Sequence, residues 1–354
     1  MQIGIITQPL TTNYGGILQN FALQKVLKDL GHKTYTIDYG RMSWLDYIHH
    51  WISFVRIGFK GSWPETPIEN ANKQRGFRKF IGKHIRTTVP RSRKIDWGLV
   101  DSLQLDTVIV GSDQVWRPSY NYDITAMFLK PLAGKVKKIA YAASFGTDKW
   151  EFSDAQTIEC RQLVQSFAGV SVREKNAVKL CNEYLNCHAI WVLDPTLLLS
   201  KQDYLEVCTT EEIKKPFVFA YILDESEKKM NEIRNYAESK GLQYVIKSAG
   251  PNTDAKDTIE QWLSYFRDAE YVITDSFHGT VFSIVFNKEF WVYGNASRGN
   301  SRFDSLLELF ALQQRLGENI PDEWSAIDWN TVNAAHRLKR EESINWLISK
   351  LCQK

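Results

Sequence analysis

The 354-residue sequence is poor in cysteine. It has five, an odd number, and none form a CxxC pair. That excludes a disulfide framework and the paired-cysteine zinc sites. No run of eighteen apolar residues occurs, so no segment reads as a membrane-spanning helix. The N-terminus enters Ile3-Gly4-Ile5-Ile6-Thr7 directly, without a basic n-region, a long apolar core or a small-residue cleavage site. No secretory leader is expected, and the cytoplasm is the expected compartment. Internal repeats and low-complexity tracts are missing, and so is a GxGxxG signature, which argues against a nicotinamide cofactor. A surplus of charge is lacking too: 44 Lys and Arg against 41 Asp and Glu leave +3. That balance does not suggest a nucleic-acid partner.

What is present is an ordinary globular composition, 44% apolar and 24% charged, in a chain long enough for about two domains with their own cores. The even charge hides a block. From Lys73 to Lys94 there are nine basic residues (Lys73, Arg75, Arg78, Lys79, Lys83, Arg86, Arg91, Arg93 and Lys94) and no acidic one, so the other 332 residues carry a net −6. An aromatic segment precedes the block: Trp44, Tyr47, Trp51, Phe54, Phe59 and Trp63. Together they read as an insertion over about 39–95. Its favoured reading is a solvated basic face. The alternative is peripheral attachment of residues 44–94 to an anionic membrane surface, because Trp and Tyr favour the interface and nearby Lys and Arg are drawn to anionic lipid.

Short runs rich in Val, Ile and Tyr alternate with helical patterns, the signature of parallel sheets covered by helices. Strands are predicted at Ile3–Thr7, Thr34–Ile37, Asp106–Val110, Lys138–Ala143, Gly169–Val172 and Ile190–Leu193. A second series follows at Phe217–Ile222, Gln243–Ile246, Tyr271–Thr274 and Phe290–Tyr293. Helices at Ile17–Leu30 and Glu225–Lys240 stop at Gly31 and Gly241. The predicted fold is α/β: two Rossmann-like domains, 1–199 and 200–320, facing a cleft. A helical tail at 321–354, Glu341–Leu351 especially, should pack back on them.

Open α/β sheets bind ligands at the carboxyl ends of their strands, so the strand tips carry the candidate chemistry. Asn13-Tyr14-Gly15-Gly16 leads from the first strand into a helix, where backbone N–H groups can face an anion or substrate; a tight turn without a ligand is the alternative. Gly111-Ser112-Asp113-Gln114-Val115-Trp116 groups a carboxylate, an amide and an indole that can grip a sugar, with Asp113 taking hydroxyl protons or simply capping the next segment. Arg173, at the next tip, is a natural carboxylate or phosphate clamp. Asp194-Pro195-Thr196 reads as a turn. His278, in Asp275-Ser276-Phe277-His278-Gly279-Thr280, is the one histidine of seven set among small polar residues at a strand-to-helix turn. There it can act as acid or base beside an anion held by the helix start, although a lone histidine can also be structural. Arg298 and Arg302 sit on a Gly/Ser/Asn loop that can close over a ligand.

Taken together, Asn13-Tyr14-Gly15 with Leu18-Gln19, Gly111 to Trp116, Ser144-Phe145-Gly146, Ser171 to Glu174, Asp194-Pro195-Thr196 and Ser276 to Gly279 resemble the polysaccharide pyruvyl transferase family, in order over about residues 1–310. The resemblance implies a fold like the B-type glycosyltransferases. It also implies transfer of pyruvate from phosphoenolpyruvate (PEP) to two hydroxyls of a sugar as a cyclic ketal, with release of phosphate. Several relatives carry an arginine two residues before the motif histidine, where this chain has Ser276, which leaves the phosphate to Arg173 or Arg302. On this basis His278 and Asp113 are the expected catalytic residues. PEP is expected on Arg173, Arg302, Gly279 and Thr280, and the acceptor, free or lipid-linked, on Asn13, Tyr14, Gln114 and Trp116. No cofactor or metal is expected, and the oligomeric state is open. The rival readings are a nucleotide-sugar glycosyltransferase and a non-catalytic glycan-binding protein.

Overall fold

The structure, a computed structural model, describes residues 1–40, 67–89, 94–132, 134, 136–248, 257–294 and 301–353. The aromatic segment Trp44–Trp63, Arg91, Arg93 and Arg298 lie outside the described residues.

The first series runs β1 (Gln2–Ile6), α1 (Tyr14–Asp29), β2 (Lys33–Thr36), α2 (Pro67–His84), α3 (Trp97–Ser102), β3 (Thr107–Val110), β4 (Lys137–Ala143), α4 (Asp154–Val164), β5 (Gly169–Val172), α5 (Lys175–Leu185) and β6 (Ala189–Trp191). The second runs α6 (Lys201–Leu205), β7 (Phe217–Ile222), α7 (Glu227–Ser239), β8 (Gln243–Ser248), α8 (Ile259–Asp268), β9 (Tyr271–Thr274), α9 (Phe277–Val285), β10 (Glu289–Tyr293), α10 (Ser301–Leu309), β11 (Leu316–Gly317) and α11 (Trp329–Cys352). Every pairing is parallel, in two sheets ordered β2-β1-β3-β4-β5-β6 and β11-β10-β9-β7-β8. The central strands are covered by helices on both faces, which is why β3 and β7 are continuous apolar runs buried at every position.

In each sheet the order of connection reverses once, between β1 and β3 in the first and between β7 and β9 in the second. At such a reversal the loops leave in opposite directions and open a crevice beyond the strand ends. Four loops therefore bound the crevice: Thr7–Asn13 and Gly111–Gln114 from the first sheet, Leu223–Ser226 and Asp275–Ser276 from the second.

Local chemistry sets the helix ends. Asn13 caps α1 by accepting the Gly16 N–H at 3.2 Å. Gly31, at φ +83°, follows its last turn in the left-handed conformation that glycine adopts without a Cβ clash. The tail is a single 24-residue helix capped by Asp328, starting later than the sequence suggested. It packs back across the first sheet. Ser343 accepts the Leu193 N–H at 3.0 Å, the Lys137 ammonium reaches the Leu351 carbonyl at 2.9 Å, and Leu347 and Leu351 join a core shared by both sheets.

The basic block includes the second half of α2, where Phe77, Phe80 and Ile81 enter that shared core. Arg75, Arg78, Lys79, Lys83 and Arg86 point to solvent. Three-to-four residue spacing of the apolar positions produces this division. Among the described residues, no helix is long and apolar enough to cross a membrane.

Candidate active site

The four loops enclose a cleft of about 740 Å³, lined by Gln8, Asn13, Gly15, Asp113 and Gln114 on one side and by Asp224, Asp275, Ser276 and His278 on the other. Arg302, from α10, closes one wall.

His278 is the second residue of α9, and Ser276 caps that helix by accepting the Gly279 N–H at 3.3 Å. The imidazole crosses the cleft to α1. A Cβ on Gly15 would lie 2.0 Å from Nδ1, so only a glycine lets the ring sit there. Nε2 is 2.6 Å from the Gln19 amide nitrogen and 3.9 Å from Asp194 Oδ2. Burial pushes the His278 pKa down to about 4 against the pull of Asp194, so the ring is neutral at neutral pH. Nε2 then accepts from the Gln19 amide and the proton sits on Nδ1, facing Gly15. Gln19 Oε1 is buried without a partner; with the amide turned over it can instead accept from a protonated Nε2, so Gln19 suits either charge state.

Behind His278 lies a pair of arginines. The Arg173 guanidinium is 4.7 Å from the Phe277 ring centroid and that of Arg302 is 6.0 Å from the same ring. Arg173 Nη1 donates to Asp194 at 2.9 Å and its Nε to Glu174 at 3.3 Å, while Nη2 is buried with no partner among the described residues. Arg302 Nε is likewise buried and has no partner among the described residues. Burial, reinforced by the Arg173 charge, pushes the Arg302 pKa down to about 10. Burial also works against the charge on Arg173, but Glu174, Asp194 and Asp113 outweigh it and raise its pKa. Asp194 is held as a carboxylate: burial opposes its charge, yet Arg173, His278 and the Thr196 hydroxyl and N–H, at 2.6 and 3.0 Å, bring its pKa down. An unpartnered N–H on a buried cation is costly, and an anion within reach of it would remove that cost.

Asp113 reaches the cleft from a left-handed backbone position, φ +65°, with Oδ1 accepting the Gln114 N–H at 2.8 Å. Gln114 Oε1 accepts from Arg117 at 3.1 Å. On the far wall the Asp275 carboxylate accepts the N–H groups of Leu223 and Asp224 and the Lys229 ammonium, tying the two loops of the second sheet together.

Five expected contacts are corrected. Trp116 is fully buried, stacked on Phe128 with centroids 4.8 Å apart, and its indole N–H is spent on the Met127 carbonyl, so it offers no face to a sugar. Tyr14 is also core, stacked on Trp262 at 4.9 Å with its hydroxyl on the Asp257 carbonyl. Gly279 and Thr280 have no N–H to give an anion: Ser276 Oγ takes the first and the Ser276 carbonyl the second. Arg173 stands one layer below the cleft wall, its side chain 1% exposed. His278, Asp113, Asn13, Gln114 and Arg302 are brought together on the cleft. Gln19 and the anchoring role of Asp194 were missed. A signal for the first was there, since Gln19 and Asn20 are polar residues on an otherwise apolar stretch of α1. Among the described residues no group of His, Cys, Asp or Glu is gathered to hold a metal ion.

The family model described as polysaccharide pyruvyl transferase matches residues 13–297. Among solved structures, the chain is similar to UGT89C1 of Arabidopsis thaliana complexed with UDP-L-rhamnose, with TM-score 0.52 and 9% identity over 99% of each chain. It is also similar to MnaA of S. aureus in a co-structure with UDP, with TM-score 0.48 and 11% identity over 97% of this chain and 91% of that one. At 9% identity the likeness to UGT89C1 is one of fold. No curated protein matches the chain.

Proposed function

The chain belongs to the polysaccharide pyruvyl transferase family, and from that premise we propose that it moves pyruvate from PEP onto two hydroxyls of a sugar, closing a cyclic ketal and releasing phosphate. One observation carries the donor assignment: two buried guanidiniums on one phenyl ring, each with an unpartnered N–H, beside the cleft histidine. PEP brings a carboxylate and a phosphate, the anions that the positive field of such a pair attracts. Arg302, on the wall, makes direct contact. Arg173, pinned by Asp194 and Glu174, sets the charge behind it.

The chemistry then needs one acid and one base. A phosphate placed near His278 opposes the effect of burial and raises its pKa, so the imidazolium forms where the donor is bound. His278 protonates the methylene carbon of PEP, leaving positive charge on the carbon that bears the phosphate and carboxylate. The first sugar hydroxyl attacks that carbon, and Asp113 takes its proton. The bond to the phosphate oxygen breaks, and the second hydroxyl closes the ring. Of the two protons released by the hydroxyls, one replaces the proton given to the methylene carbon and the other leaves on the phosphate.

The test is phosphate release from PEP with candidate oligosaccharides, read together with a mass-spectrometric search for the added ketal. PEP is expected to raise the melting temperature and UDP or GDP not to, because only binding to the folded chain stabilises it. His278→Ala is expected to slow phosphate release by at least about a hundredfold with the fold intact. Near-normal turnover of that variant removes His278 from the mechanism. A shift with UDP and none with PEP turns the assignment to glycosyl transfer, and glycan binding with no reaction turns it to a non-catalytic role.

A further inference from the structure

The cleft does not end at Asp113. Past Gln8, Pro9, Gly40 and Tyr120, which line both spaces, a second cavity of about 420 Å³ opens on the first sheet's side. Its walls carry the rings of Tyr39, Trp97, Tyr120 and Tyr122. Tyr122 is 87% exposed and Tyr120 54%, whereas Trp116, a few residues earlier on the same loop, is fully buried. Large rings left in water beside a cleft have use for a partner that is apolar on one face and polar at its edge.

The rings are held in place. Lys94 Nζ is 3.9 Å from the Tyr122 centroid and the Arg117 guanidinium is 4.8 Å from that of Tyr120. Their loop is tied down by Asn121, which donates to the Val115 and Arg117 carbonyls at 2.9 and 2.8 Å and accepts from Gln8 at 3.3 Å. Asp123 caps the turn that follows, accepting the Thr125 N–H at 2.9 Å. The Trp97 indole N–H and the Tyr122 hydroxyl have no hydrogen-bond partner among the described residues, which leaves a donor at each ring for a hydroxyl-bearing ligand. A pyranose has the matching shape: a face of C–H groups to lie on a ring and an equator of hydroxyls to meet such donors.

We propose that this annex is a carbohydrate subsite for the sugar next to the one that reacts, so that the acceptor is at least a disaccharide. The direction rests on the pyruvyl-transfer reading, in which the reacting sugar lies at Asp113. Binding to the annex can be measured without that reaction. The probes are cellobiose, chitobiose, lactose and mannobiose, each with its component monosaccharides, titrated against the full chain by saturation-transfer NMR. At least one disaccharide is expected to bind about fivefold more tightly than its monosaccharides, and Tyr122→Ala or Tyr120→Ala, at the two exposed rings, to abolish that gain at unchanged melting temperature. Disaccharides that bind no better than monosaccharides, or a gain that survives both substitutions, overturn the subsite. So does farnesyl phosphate binding in the annex where the disaccharides do not, which would assign it to an isoprenoid chain. The PEP-dependent thermal shift separates the two ideas: a disaccharide gain without that shift keeps the subsite and removes the donor.

Discussion

At the scale of single residues, the site stores repulsion. Arg173 and Arg302 share the Phe277 ring, and burial and the Arg173 charge push the Arg302 pKa down to about 10. Arg302→Met keeps the chain length and removes the charge. Its melting temperature is expected to hold or rise, by the equivalent of about 1 kcal/mol, while PEP affinity falls more than about tenfold. Thermal melts with and without PEP measure both, and an unchanged PEP shift in this variant would sink the role of Arg302. The sequence made His278 and Asp113 legible because each stands at a strand tip among small polar residues, and Arg302 because it follows a Gly/Ser/Asn stretch. It misjudged Trp116 and Tyr14, because an aromatic next to a functional motif looks the same whether its ring turns to the cleft or to the core.

At the scale of elements, two helix starts meet head on. The α1 and α9 N-termini approach so closely that the Gly15 Cα abuts the His278 ring. Gly15→Ala adds a Cβ that would stand 2.0 Å from Nδ1, so the imidazole must leave its place over α1. Alanine favours the helix over glycine by about 1 kcal/mol, which offsets much of the local strain. The variant is therefore expected to melt within a few degrees of the parent and to release phosphate about a hundredfold more slowly. Steady-state rates beside a melting curve decide it, and full activity means that the ring does not work from this position. The ten longer strands are legible from their apolar runs. The two-residue β11 is not, since Leu316–Gly317 has no pattern of its own and pairs only because β10 lies alongside. Ser276 has a local reason as well: it caps α9, a task an arginine at that position cannot perform.

At the scale of the whole molecule, His278 links the two sheets, carried by α9 of the second and held by Gln19 on α1 of the first. A folded pKa of about 4, against the ordinary 6.5, means that between those values the unfolded chain binds a proton the folded chain refuses. The stability this represents is complete above pH 6.5 and is lost as pH falls toward 4, at most about 3 kcal/mol. Asp194, with its lowered pKa, continues the loss at lower pH. Burial lowers the pKa of His32, His84 and His336 too, so the measurement is a difference. Unfolding free energies of the parent and of His278→Gln are compared at pH 7, 5.5 and 4.5, and the parent is expected to lose more across that range. Parallel curves would mean that His278 is not held neutral by the fold.

The sequence by itself determined the architecture and the family. Alternating apolar runs and amphipathic helices admit few arrangements other than two parallel sheets, and strand tips are where such sheets hold ligands. It also located the charge block, though not that α2 turns Phe77, Phe80 and Ile81 into the shared core and leaves Arg75, Arg78, Lys79 and Lys83 in water. Only the tertiary structure decided which tip residues meet. His278 and Gln19 are 259 positions apart, and what joins them is the packing of one sheet's helix start against the other's. Periodicity fixes which face of an element is buried, whereas a site is made by distances between elements, and those follow from how the two cores close on each other.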